Sequence, residues 1–162
     1  MAKIDPALAP YLNLLDDAFA RKAWHGPNLR GSLRGLTAEE AAWRPGRGRH
    51  NVWELAVHAA YWKYAVRRML TGEKRSSFRF AGSNWFARPA GDAAGAAWKR
   101  DVAALADEHR RLRAAISRLC ARDLGRARGS KYTTARLIQG AAAHDLYHAG
   151  QIQLLKRLRP RR

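Results

Sequence analysis

The sequence predicts an all-α protein, a four-helix bundle with long connections, and three observations support this prediction. Apolar residues recur three and four positions apart in four long segments, which is the spacing of amphipathic helices. Residues that typically start or stop helices bound these segments. No convincing alternation of apolar and polar residues predicts a β-sheet. Residues 1–162 are expected to form one domain around one core.

The first long helix begins at Asp5-Pro6, because aspartate is a favourable N-cap and proline is tolerated in the first turn. Gly26-Pro27 is its predicted end. Its apolar face consists of Leu8, Tyr11, Leu12, Leu15 and Phe19. The connection that follows, residues 28–50, is rich in Gly, Pro and Arg, but Thr37 and Glu40 form a capping-box pattern. We therefore expect a short extra helix before the second long helix.

The second long helix begins after Asn51, a favourable N-cap, and ends at Thr71-Gly72. Its predicted core-facing stripe is apolar except for one histidine: Val52, Leu55, His58, Ala59, Trp62, Val66 and Met69. Residues 73–91 lack helical spacing and contain four aromatic side chains, which is too many for a free linker. We expect this segment to be a loop that packs over one end of the core.

The third long helix runs from about Asp92 to Ala121, and a basic connection follows it. The fourth begins after Thr133 or Thr134, either of which can serve as the N-cap, and its pattern ends at Pro160. The apolar stripe of the fourth helix contains two histidines: Leu137, Ala141, His144, His148, Ile152 and Leu155.

His144 and His148 are four residues apart and therefore project from one face of the fourth helix. Two imidazoles in this arrangement can bind one metal ion. Catalytic zinc sites usually have three protein ligands and leave one position for water or substrate. His58, on the core-facing stripe of the second helix, is the best candidate for the third ligand. One divalent cation would then join the second and fourth helices.

A structural interpretation competes with this one, because a helix can bury one histidine through a hydrogen bond and expose another. Burying three unpaired imidazoles would cost roughly a few kcal/mol each, whereas one shared cation satisfies a nitrogen of every ring. Of the other histidines, His109 is either a fourth ligand or a partner of solvent or a carboxylate. His25 and His50 are assigned to a turn and to the start of the second helix.

Three polar residues near these histidines are candidates for assisting catalysis. Glu54 lies one turn before His58, and either it or Gln151 can orient a ligand by accepting its free ring N–H. Asp145 follows His144 at the position where His-Glu-x-x-His peptidases place their general base. Because aspartate is one methylene shorter, Asp145 is interpreted as a base or as an anchor for a ligand. All three are also explained as ordinary polar residues at a core edge or a helix surface.

The composition leaves a nucleic-acid partner open without requiring one. Lys and Arg number 31 against 13 Asp and Glu, which gives a formal net charge of +18 and favours nonspecific binding to phosphates at low salt. The arginines are spread along the whole length, which instead favours a general bias in composition. Cys120 is the only cysteine, so an internal disulfide is excluded, and no apolar run approaches twenty residues. We expect a cytoplasmic protein outside the membrane.

Three segments together resemble the DinB family of bacterial proteins, and the resemblance extends over nearly the whole chain: Leu36–Pro45, His50–His58 and His144–Ile152. The resemblance implies a four-helix bundle with one divalent metal, usually zinc or nickel, bound by three histidines. By position these are His58, His144 and His148. Members of this family are often homodimers.

The resemblance also implies a class of chemistry. Some members are transferases or isomerases that use the metal to activate a small-molecule thiol. We therefore expect a metal-binding protein whose leading activity is sulfur transfer from a thiol to an electrophile, with hydrolysis second. The high arginine content departs from the family pattern and leaves an anionic substrate or partner open. The alternatives are a noncatalytic binding or sensor protein, and a basic nucleic-acid-associated module in which the metal is structural.

Overall fold

The computed structural model describes residues 4–74, 78–90 and 94–160. Within these residues four long helices are present: α1 (Ala9–Phe19), α4 (Val52–Thr71), α5 (Ala94–Ile116) and α7 (Thr134–Leu158). Three short helices lie in the connections: α2 (Leu29–Ser32), α3 (Ala38–Ala42) and α6 (Ala121–Leu124). The described chain contains no strand, only an isolated β-bridge between Ala127 and Thr133. The predicted all-α fold is confirmed, and no described helix has the length and apolarity needed to cross a bilayer.

Side-chain caps fix the starts of α3, α4 and α7 where the sequence predicts them. The Thr37 hydroxyl accepts the backbone N–H of Glu40 at 3.2 Å, and the Glu40 carboxylate accepts the N–H of Thr37 at 2.9 Å. Asn51 and Glu54 form the same reciprocal pair at the start of α4, and Thr133 caps α7. These bonds form because the first N–H groups of a helix have no helical acceptor.

Two long helices end earlier than their sequence patterns predict. α1 ends at Phe19 rather than at Gly26-Pro27, because the apolar face stops at Phe19 and the following residues, such as the 98% exposed Trp24, bury nothing in the core. α5 ends at Ile116, and α6 follows as a separate turn instead of continuing to Ala121. The predicted start of this helix at Asp92 lies outside the described residues.

α4 is the central helix and packs against α3, α5 and α7. Residues 51–60 are all buried. The predicted stripe is wrong at Trp62, which is 37% exposed, while the neighbouring Lys63 is only 2% exposed. Lys63 can be buried because it forms an ion pair with Asp145 of α7. This contact lies beside the place where the histidines of the two helices meet.

The described part of the aromatic segment, residues 78–90, is a loop packed on the core, as predicted. Phe78, Phe80 and Phe86 contact one another at centroid distances of 5.3–5.8 Å. Phe86 is buried, and its ring lies 5.6 Å from that of Tyr61 on α4. The loop therefore covers the side of α4 that carries His58.

Candidate metal centre

Three histidines from α4 and α7 converge at the contact between these helices. The Nε2 atom of His144 lies 3.1 Å from Nε2 of His58 and 3.0 Å from Nε2 of His148. The ligand atoms of the three rings all lie within 4.8 Å of one another. Ligands placed tetrahedrally at about 2.0–2.1 Å from a zinc ion are about 3.3 Å apart. The two distances from Nε2 of His144 are therefore close to the spacing that one shared ion requires.

In two of the rings, the nitrogen that points away from the cluster, Nδ1, forms a hydrogen bond to an acceptor. Nδ1 of His58 donates to the backbone carbonyl of Asn84 at 2.9 Å, and Nδ1 of His148 donates to Oε1 of Gln151 at 2.6 Å. Because carbonyl oxygens only accept, both rings have their proton on Nδ1 and a lone pair on Nε2. Of the two candidate acceptors, Glu54 and Gln151, it is therefore Gln151 that contacts a ring of the cluster.

The donor set fits a divalent metal. The lone pairs of His58 and His148 both face Nε2 of His144, which has at most one proton to donate. Without a cation, at least one of these contacts would bring two lone pairs together at about 3 Å. A cation removes this repulsion by accepting all three lone pairs. Three imidazoles suit zinc and nickel, as they do other transition metals.

Burial keeps the three rings neutral. Loss of hydration is the main cause that lowers the pKa of His58 to about 4 and that of His144 to about 3, and the neighbouring imidazoles lower both further. Burial also lowers the pKa of His148, although its hydrogen bond to Gln151 opposes this effect. Metal binding needs deprotonated imidazoles, so the folded site offers its ligands in the correct state at neutral pH.

Partly exposed aromatic side chains surround the cluster: Trp62, Trp85 and Tyr147 are 37%, 36% and 63% exposed. Each histidine has one of them as a neighbour, by ring centroid: Trp85 at 3.9 Å from His58, Trp62 at 6.2 Å from His144, and Tyr147 at 5.1 Å from His148. We call these three side chains the aromatic rim. Of the three histidines, His144 keeps partial exposure, while His58 and His148 are only 6% and 3% exposed.

Glu54 contacts the segment before α4. Its Oε2 accepts a hydrogen bond from Arg44 at 2.9 Å and lies 3.1 Å from Nδ1 of His50. The same oxygen also accepts the backbone N–H of Asn51 at 3.3 Å. The contacts of this carboxylate therefore hold the connection that leads into α4, and the ring N–H of His58 goes to Asn84 instead.

Asp145 is fully buried between α7 and α4. Its Oδ2 pairs with Lys63, and its Oδ1 has no hydrogen-bond partner among the described residues. Burial raises the pKa of Asp145 to about 6, and the Lys63 ammonium opposes this rise. A carboxylate without exposed surface is better placed to anchor α7 than to exchange protons with solvent.

Comparison with known protein families gives one clear result. The sequence model of the DinB superfamily matches residues 22–152, which include all three histidines of the cluster. The chain belongs to the DinB superfamily. Comparison with curated proteins yields no match, and comparison with solved structures yields none either. The family and the histidine cluster are both compatible with metal binding.

Several residues around the site of this DinB-superfamily chain were not predicted from its sequence. The burial of Lys63 could have been predicted, because it is a cation beside the core-facing stripe of α4 and an aspartate lies on the partner helix. His50 stacks on Trp85 at 3.5 Å, and neither residue lies in a periodic segment that would have predicted this contact.

His109 lies 3.5 Å from Asp16 Oδ1, which agrees with the carboxylate alternative rather than a fourth ligand.

Proposed function

We propose that this DinB-superfamily protein is a metal-dependent enzyme in which His58, His144 and His148 bind zinc or nickel. The convergence of the three imidazoles between α4 and α7, with His144 still partly exposed, is the observation that supports the proposal. Three protein ligands leave a coordination position for a small molecule, as in catalytic sites. When bound, such an ion supplies the positive charge that keeps a thiol or water ligand deprotonated near neutral pH.

The proposed reaction is sulfur transfer from a small-molecule thiol to an electrophile. The thiol proton passes to solvent, the sulfur forms a bond to the electrophilic carbon, and the leaving group departs with the electrons of the broken bond. Hydrolysis of an ester or amide is the second candidate. The resemblance to thiol-dependent members of the family supports the first reaction.

Residues of the chain have distinct proposed roles in this reaction. Gln151 orients His148, and the ion pair of Lys63 with Asp145 keeps α7 in register with α4. The aromatic rim contacts the apolar part of the substrate and limits access of water. Glu54 acts indirectly, by holding His50 and the connection before α4.

Metal analysis of protein purified without a histidine tag tests the site. We expect one equivalent of zinc or nickel in the wild type and in His25→Ala, a control at an exposed histidine outside the cluster. His58→Ala should lose the metal, because two imidazoles of one helix remain. Full metal content in His58→Ala would remove His58 from the ligand set.

A turnover assay then tests catalysis. Metal-loaded and chelator-treated protein should be compared with a panel of low-molecular-weight thiols, electrophiles, esters and amides. We expect turnover that depends on the metal. A metal that raises thermal stability but supports no turnover, and that accepts no added ligand, would show a structural role instead.

A noncatalytic alternative rests on surface charge. Ion pairs such as Arg44 with Glu54 and Arg159 with Glu40 neutralise carboxylates, while the chain as a whole keeps a net charge of +18. A nucleic-acid-associated module predicts salt-sensitive retention of DNA or RNA that survives replacement of all three histidines. Retention that is lost with the histidines would contradict this alternative.

The quaternary structure is a separate proposal. The homodimer that the family resemblance implies would give a mass of two chains in sedimentation equilibrium across a range of concentrations. A single-chain mass throughout that range would exclude it.

A further inference from the structure

We infer that Asn84 is a positioning residue for the metal site, because its left-handed backbone presents its carbonyl to Nδ1 of His58. The inference rests on the proposed metal site and adds to it a residue outside the three ligands and their helices. Asn84 lies in the loop that covers α4, 26 positions from His58 along the chain.

The backbone of Asn84 has an uncommon conformation. Its φ is +69°, and within the described residues it is the only residue other than glycine with a positive φ. A left-handed backbone brings Cβ close to the carbonyl oxygen, which is unfavourable for most residues. Asparagine tolerates it, glycine has no Cβ to clash, and β-branched residues are strongly disfavoured. The identity of the residue at position 84 therefore controls where this carbonyl points.

The side chain of Asn84 attaches the loop to α4 a second time. Its Oδ1 accepts a hydrogen bond from Nε1 of Trp62 at 3.0 Å. Trp62 is one helical turn after His58, so the main chain and the side chain of Asn84 bind successive turns of α4. One loop residue thus holds both a proposed metal ligand and a side chain of the aromatic rim.

The residue after Asn84 restricts His58 in a second direction. The Trp85 ring stacks on the His58 ring at 3.9 Å with an interplanar angle of 10°. The other face of Trp85 stacks on His50 at 3.5 Å and 9°, since one face cannot hold two imidazoles at these distances. The indole fixes the plane of the His58 ring, and the Asn84 carbonyl fixes its rotation within that plane. Nε2 is therefore aimed at the cluster before a metal arrives.

Three variants separate the effect of the Asn84 backbone on the metal site from the effect of its side chain. Asn84→Val disfavours the left-handed conformation, whereas Asn84→Gly keeps it and removes only the hydrogen bond to Trp62. Trp62→Phe removes the same hydrogen bond from the other partner. We expect Asn84→Val to weaken Zn²⁺ binding about 10- to 100-fold, measured by competition with a chromophoric chelator at pH 7. Asn84→Gly and Trp62→Phe should show smaller losses that are similar to each other.

A second readout uses the metal-free protein and does not depend on metal binding. Nitrogen NMR of the histidine rings should show a protonated Nδ1 on His58 in the wild type and in Asn84→Gly. In Asn84→Val the ring should become a mixture of tautomers, while circular dichroism shows an unchanged helix content. A purely structural role would leave this tautomer unchanged.

The outcomes distinguish this inference from the proposed function. If the wild type binds no Zn²⁺, the metal site fails, and the tautomer experiment still tests the role of Asn84. If the wild type binds Zn²⁺ and Asn84→Val binds it equally well, only the inference about Asn84 is overturned. A loss in Asn84→Gly as large as that in Asn84→Val would also overturn it, because the side chain would then account for the effect.

Discussion

Two buried polar clusters connect α4 with α7, and they are chemically opposite. One is the histidine cluster, whose lone pairs converge on a common centre. The other is the ion pair of Lys63 with Asp145, whose opposite charges satisfy each other and whose side chains are 2% and 1% exposed. They are neighbours in sequence, because Asp145 directly follows His144. Yet the histidine cluster includes the partly exposed His144 and is bordered by the aromatic rim, while the ion pair is enclosed in the core.

The difference shows that the same two helices hold one polar cluster whose charges are paired and one whose lone pairs do not all have a partner among the described residues. A buried ion pair contributes little net free energy compared with apolar residues, but breaking it leaves an uncompensated charge in the core. A slip of one helix along the other would separate the pair, so the pair opposes such a slip. The histidine cluster is neutral, so it places no uncompensated charge between the two helices.

The largest effect is expected from breaking the ion pair. Lys63→Met leaves the Asp145 carboxylate buried without its partner and should lower the free energy of unfolding by about 3–5 kcal/mol. Urea denaturation of the metal-free protein measures this change. The double variant Lys63→Met/Asp145→Leu removes both charges and should recover most of the loss. If the single variant is as stable as the wild type, the pair is not the anchor described above.

The pH dependence of the metal-free protein separates the two clusters, because their groups shift in opposite directions. The pKa values of His58 and His144 are lowered from 6.5 to about 4 and about 3. Between pH 6.5 and 4 the unfolded chain therefore binds more protons, and these histidines make the fold less stable as the pH falls. The pKa of Asp145 is raised from 3.8 to about 6, so over pH 6 to 4 this group has the opposite effect.

Burial also lowers the pKa of His109 to about 3, so these three histidines outweigh the one carboxylate, and we expect a net loss of about 4 kcal/mol in the free energy of unfolding between pH 7 and pH 5. Urea denaturation at pH 7, 6 and 5 with a chelator present measures it. The variant His144→Leu should show a shallower dependence, because one of the titrating groups is gone. Greater stability at pH 5 than at pH 7 would contradict the assignment of neutral, buried histidines.

A smaller effect should appear when one orienting side chain is removed. Gln151→Leu deletes the acceptor for Nδ1 of His148 and should weaken Zn²⁺ binding about 10- to 100-fold while changing the stability of the metal-free protein little. Gln153→Leu is the matched control, because Gln153 is on the same helix and donates to Ser32 at 3.2 Å. Equal Zn²⁺ affinity in both variants would remove Gln151 from the site.

Much of the fold follows from local signals. The caps at Thr37, Asn51 and Thr133 lie where the sequence predicts them, because a cap depends on neighbours within one turn. The end of α1 does not, since the packing of the helix decides where it stops and the apolar spacing ends before Gly26-Pro27. Likewise, the burial of Lys63 depends on a charge in another helix and not on its own position in the stripe.

The candidate site likewise contains residues that the sequence predicts and residues that it does not. His58, His144 and His148 were predicted together because each lies on an apolar stripe, and stripes of a bundle face one another. Asn84 had no such signal, because the loop has no periodicity and the role of the residue depends on a backbone angle. Gln151 was singled out by its spacing from a histidine, but only the folded helix shows which ring it meets.

The separation of the three histidines along the chain has a consequence for how the protein is made. His58 lies 86 positions before His144, so the complete donor set does not exist until α7 has left the ribosome and docked on α4. Before that docking, His58 is separate from the pair that His144 and His148 form on α7. Under the proposed function, three-ligand loading therefore follows the docking of α7 on α4.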